Sequence, residues 1–98
     1  MKYQIKLADE TEEHLRALSS RQQSVAFEGI EKQLAHEPTV ATRNRKAMRP
    51  NPLASWELRI GDLRIYYDVD DEEQIVYILA IGIKIRSQLR IGKEVIIL

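Results

Sequence analysis

The chain has no cysteine, one tryptophan, one phenylalanine and three prolines, and neither charge predominates, with 15 basic and 15 acidic residues in 98. The missing cysteine excludes a disulfide scaffold and any thiolate metal site, and it fits a reducing compartment. No apolar run approaches the roughly 18 residues of a membrane span, and no apolar stretch of signal-peptide type opens the chain. We therefore expect a cytoplasmic protein with no membrane contact. His14 and His36 stand alone on predicted helices and are expected at the surface. The acidic run Asp70–Glu73 lacks the alternating ligands and central glycine of a cation loop, so no metal and no cofactor is expected. What is present is an ordinary globular composition, 44% apolar and 31% charged. We read residues 1–98 as one domain, repeat-free, burying roughly two-thirds of its unfolded surface.

The zero net charge hides a strong asymmetry. Residues 41–64 hold Arg43, Arg45, Lys46, Arg49, Arg59 and Arg64 against Glu57 and Asp62. Residues 65–83 hold five acids and no base. Residues 84–98 hold Lys84, Arg86, Arg90 and Lys93 against Glu94. Positive charge is gathered in two segments, and such a distribution says more about partners than the total does.

Hydrophobic period gives the elements. YQIKLA alternates and reads as a half-buried strand. Asp9 and Glu12 have capping-box spacing for a first helix, and Ser19 or Ser20 with Gln22 or Gln23 for a second. Phe27, Ile30 and Leu34, helped by Val25 and Ala26, mark the second helix's expected buried stripe. Pro38 is expected to end it. Residues 38–53 hold every proline and read as a basic loop. Strands follow at about 54–60, 63–69 and 74–82, and RIGKEVIIL adds a possible edge strand. QIVYILAIG is apolar on both faces, as an inner strand is. The fold expected is α+β: an N-terminal strand, a helical hairpin, then an antiparallel three- to four-stranded meander forming one sheet.

WELRIGDLRIYY raises a question of charge. Gly61-Asp62 suits a two-residue type II′ turn. That register sets Arg59 opposite Arg64 and Glu57 opposite Tyr66 on one face, with Trp56, Leu58, Ile60, Leu63, Ile65 and Tyr67 on the core face. Like charges directly opposed are destabilising. Either Glu57, diagonal to Arg64, serves as its counter-ion on a solvated face, or the two guanidiniums face an anionic ligand such as phosphate. The basic loop and KIRSQLR border this hairpin in sequence. Together they would form a positive groove suited to a nucleic-acid backbone.

The ordered set KAMR (46–49), WELRIGDLRIYY (56–67), DVDDEEQ and VYILAIGIKIRS, after a strand and a helical hairpin, resembles the RelE/ParE family of type II toxin–antitoxin toxins. The resemblance spans nearly the whole chain. It implies a toxin neutralised by a cognate antitoxin protein in a hetero-oligomer. In the RelE-like branch it implies a ribosome-dependent endoribonuclease (an mRNA interferase) acting on mRNA. In the ParE-like branch it implies a poison of DNA gyrase, and a relative without activity would keep only antitoxin binding. By the resemblance Arg59, Arg64 and Lys84 occupy catalytic groove positions, with Arg86 at the next alternate position. Glu57 stands where RelE-like members carry a lysine, and Arg90 where RelE carries a catalytic tyrosine. Metal-free RNA cleavage needs an acceptor for the 2′-OH proton, a donor to the 5′-oxygen, and positive charge on the phosphorane. Arg59 and Arg64 suit the charge, Lys84 the donor, and Glu57 is the candidate base. Arg45, Lys46, Arg49, Arg86 and Arg90 are expected to hold RNA, with Tyr66 stacking on a base or simply packing.

Overall fold

The computed structural model describes residues 2–97. Strand β1 (Gln4–Leu7) leads to helices α1 (Glu10–Arg16) and α2 (Ser20–Leu34). Strands β2 (Arg45–Ala47), β3 (Trp56–Ile60), β4 (Leu63–Asp70), β5 (Ile75–Ile85), β6 (Gln88–Ile91) and β7 (Glu94–Ile96) follow. β2 to β7 form one antiparallel meander in chain order, and β1 joins it parallel to β5. The α+β class is as expected, but the meander is longer than three or four strands. The additions β2 and β7 have three residues each, too few to display a period.

Ser19 caps α2 with a full capping box to Gln22. Asp9 makes no such side-chain bond, so the expected box of α1 does not form. The buried stripe of α2 is Ala26, Ile30 and Leu34. Phe27 is 45% exposed and Val25 is exposed as well, which corrects the expected stripe. Small residues mark the face: Ala26 is fully buried, and Gly29 brings the helix close to β3, where a Cβ on it would collide with Ile60 Cδ1. α2 stops at Leu34, before Pro38 acts, and Glu37 takes a left-handed φ of 51°.

On the helix side of the sheet Leu58, Leu63, Ile65, Tyr67, Val76, Ile78 and Ile81 pack with Leu18, Ala26, Ile30 and Leu34 in one core. Each such aliphatic side chain contributes about 1.5–3 kcal/mol through burial. Trp56 stacks on Tyr67, ring centroids 6.2 Å apart. The Tyr67 hydroxyl donates to the Pro38 carbonyl at 2.7 Å and pins the loop after α2. The opposite side holds a thinner cluster of Ala54, Tyr66, Ala80, Leu89 and Ile91.

β5 is central, with β4 on one edge. Its other edge is shared: β1 pairs with Ile75–Ile78 and β6 with Gly82–Ile85. A register shift at Tyr66/Tyr67 leaves Leu79 without a partner on β4, and the buried phase of β5 switches there from Val76 and Ile78 to Ile81 and Ile83. His14 fills the gap between β1 and β6, where its Nδ1 accepts the Ile81 backbone N–H at 3.3 Å. It is half-buried and hydrogen-bonded rather than a surface residue, whereas His36 is exposed as expected. Among the described residues no helix is long and apolar enough to cross a membrane.

Candidate nucleic-acid interface

The β3–β4 hairpin has the expected register, with Arg59 opposite Arg64, Glu57 opposite Tyr66 and Trp56 opposite Tyr67. Gly61 has φ 56° and Asp62 has none of that sign, the pattern of a II′ turn. The opposed arginines avoid one another by turning apart. Arg59 Nε donates to Glu57 Oε1 at 2.7 Å. Arg64 Nη1 donates to the carbonyls of Gly61 (2.7 Å) and Leu63 (3.0 Å). Glu57 is therefore the counter-ion of Arg59 and not of Arg64. The guanidinium of Arg64 serves the turn and is absent from the groove lining.

A groove of about 650 Å³ runs over the sheet face away from the helices. Alternation delivers its residues. Lys46 pairs across from Glu57, and Lys84 across from Leu89, which faces Ile96. Its cations are Lys46, Arg49, Arg59 and Lys84, and its apolar floor includes Met48, Leu89 and Ile96. Glu57 is the one carboxylate among its described lining residues. Lys46, Arg49 and Lys84 have no carboxylate partner among the described residues. Their potentials add over a shared concave surface that attracts anions.

Tyr66 lies on the groove side, but it is 1% exposed. Its ring forms the floor and offers no stacking platform. Burial, and then the neighbouring Glu57 carboxylate, pushes its phenol far above the usual tyrosine range, so it stays protonated.

Three other expected RNA contacts lie elsewhere. Arg45, on the helix side beside Leu58, donates from Nη1 to the Gln33 carbonyl (2.5 Å) and from Nε to the Val40 carbonyl (3.0 Å). It anchors the loop to α2. Arg90 pairs with Ile83 and Val95, whose parity puts it on the face opposite Lys84. Arg86 occupies the β5–β6 turn with φ 60° and is exposed beyond the groove end. The structure thus gathers Lys46, Arg49, Glu57, Arg59 and Lys84 and leaves Arg45, Arg64, Arg86 and Arg90 out. It adds Met48, Leu89 and Ile96, of which the sequence signalled only Met48, within KAM, and Ile96, within RIGKEVIIL. Among the described residues no group of three or more His, Asp or Glu converges as a metal site would require.

The helical hairpin thus covers one face of the antiparallel meander, and the cationic groove lies on the other. A family model described as the ParE toxin of type II toxin–antitoxin system, parDE, matches residues 5–86; the chain belongs to this family, within the wider RelE/ParE group of type II toxins. A chain of the RelBE2 toxin–antitoxin complex from Mycobacterium tuberculosis is similar to it with a TM-score of 0.75 and 25% identity, over 86% of this chain and 93% of that one. A chain of the archaeal RelE–RelB complex from Pyrococcus horikoshii OT3 has the same fold, with a TM-score of 0.69 and 20% identity over 88% and 99% of the two chains. No curated protein matches the chain.

Proposed function

We propose that this toxin is an endoribonuclease that cleaves mRNA on the ribosome. The observation that carries the reading is the convergence of Lys46, Arg49, Arg59 and Lys84 with Glu57 in one groove. In the step we assign, the substrate 2′-oxygen attacks phosphorus and the bond to the 5′-oxygen breaks, leaving a 2′,3′-cyclic phosphate and a 5′-hydroxyl. The 2′-OH proton goes to the Glu57 carboxylate, the one side-chain base of the groove, once Arg59 has turned to the phosphate. Arg59 stabilises the phosphorane charge, and Lys84 gives a proton to the leaving 5′-oxygen. Lys46 and Arg49 hold flanking phosphates.

The partner is a cognate antitoxin, a reading supported by the two similar chains having been seen in complex with theirs. Phe27, Tyr77, Ile85 and Val95 leave apolar surface exposed for it. Gyrase poisoning is the second reading. It is favoured by the ParE model and by a base already tied to Arg59. The experiment is induced expression without the neighbouring gene. New 5′ ends in ribosome-bound mRNA support cleavage. Intact mRNA with gyrase-linked DNA breaks supports the second reading, and unaffected growth rejects both.

A further inference from the structure

Glu57 is an acid in a groove whose other charged residues, among those described, are cations, and its carboxylate is engaged. Its Oε1 accepts from Arg59 at 2.7 Å, and its side chain is 12% exposed against 45% for Arg59. Lys46 is its cross-strand neighbour on one side and Tyr66 on the other. A carboxylate on a guanidinium uses the same donors that a phosphate oxygen would use. An arriving anion therefore meets Arg59 already occupied, with a second negative charge fixed beside it.

We propose that Glu57 is an intramolecular competitor for phosphate at Arg59, so that the groove accepts a nucleic-acid strand held at several phosphates and rejects a lone phosphate group. The proposal rests on the reading of the groove as a nucleic-acid site and deepens it. A single phosphate that displaces Glu57 exchanges one charge-assisted bond for another. It also takes the guanidinium away from a partly buried carboxylate and leaves that carboxylate next to the new anion, which is unfavourable. A strand already held by Lys46, Arg49 and Lys84 presents its next phosphate to Arg59 at high effective concentration, and the exchange then proceeds. Discrimination of this kind uses a built-in repulsive element instead of an added contact. Glu57 thereby sets what the groove admits before any bond is broken.

Fluorescence anisotropy with a short, labelled 2′-O-methyl RNA strand tests this, because the blocked 2′-oxygen permits binding without cleavage. Uridine monophosphate serves as the single-phosphate competitor. Wild type is expected to bind the strand and resist the mononucleotide. Glu57→Gln is expected to bind the strand roughly tenfold tighter, the scale of one charge-assisted bond, and to be displaced by the mononucleotide. In an Arg59→Gln background the same change is expected to gain nothing. Glu57→Thr, compatible with a strand, repeats the measurement if the amide variant folds poorly. A wild type that binds the strand and a Glu57→Gln variant that behaves identically would overturn the competitor role and leave the groove standing. An equal gain without Arg59 would reduce the effect to general repulsion and overturn it too. If neither wild type nor variant binds the strand, the groove reading falls and this proposal falls with it.

Discussion

On the helix side of the sheet Leu58, Ile65, Tyr67, Ile78 and Ile81 are fully enclosed. On the other side their immediate neighbours in sequence, Glu57, Arg59 and Tyr66, together with Lys84, form a charged groove over a thin layer of Tyr66, Ala80, Leu89 and Ile91. The same strands supply both. Because side chains alternate along a strand, one residue step separates a position that holds the fold from a position that meets a ligand. Packing on the first face fixes the backbone, and the rigid backbone then fixes the spacing of cations on the second. For the cleavage proposed above such rigidity matters, since charges aimed at a developing phosphorane help most when little has to rearrange as it forms.

The division can be broken by substitutions of each parity. Ile78→Ala, on the helix side, removes a buried side chain from the centre of β5 and is expected to lower unfolding stability by about 2–5 kcal/mol, read by denaturant titration. Lys84→Gln is exposed and is expected to stay within about 0.5 kcal/mol of wild type. Comparable losses at both would mean the faces do not divide the work.

Activity should invert that order. Arg59→Gln and Lys84→Gln are each expected to raise the cleavage barrier by about 2–4 kcal/mol, roughly 30- to 1000-fold in rate, measured on defined mRNA with ribosomes. Arg64→Gln should leave cleavage nearly unchanged, because its guanidinium is spent on the carbonyls of Gly61 and Leu63. A strongly impaired but folded Arg64→Gln protein would return that residue to the groove.

A smaller effect sharpens the helix-side half. Tyr67→Phe removes the donor to the buried Pro38 carbonyl, and an acceptor left dry costs about 1–3 kcal/mol. The loss should appear in thermal unfolding. It should also appear as faster amide exchange between Pro38 and Arg45, the segment this bond ties down. Unchanged stability would show that water reaches the carbonyl.

Much of this was legible in the sequence, and the hairpin was the clearest part. Gly61 at a positive-φ turn position and strict alternation on either side fixed every pair from Trp56–Tyr67 to Ile60–Leu63. Four things were not legible. The helix face depended on the close approach of Gly29 to β3, a tertiary matter that overrode the larger Phe27. The phase of β5 depended on the shift at Leu79, and a bulge in an all-apolar run leaves no mark on alternation. The partner of Glu57 was decided between two arginines that alternation places on one face, and only side-chain geometry separates them. Arg45 and Arg90 were grouped with the groove by charge, yet strand parity sends both to the helix side.

His14 offers the smallest effect, and it joins the two faces. It closes the gap on β5 between β1 and β6, and β6 carries the Leu89 that floors the groove. Its Nδ1 must be unprotonated to accept the Ile81 N–H. Burial lowers its pKa below the ordinary histidine value, while Glu13, Glu10 and Glu94 oppose the shift. The folded state thus favours the neutral ring, and the unfolded chain binds the proton more readily. The contribution is fully present above the unfolded value of about 6.5 and is lost as pH falls through the lower folded value. Wild type should therefore lose thermal stability as pH falls below about 6.5. His14→Gln keeps an acceptor in reach of Ile81 but cannot titrate, so its melting temperature should follow pH less steeply over the same window. Identical slopes in the two proteins would show that the bond to Ile81 does not couple the ring's protonation to the sheet.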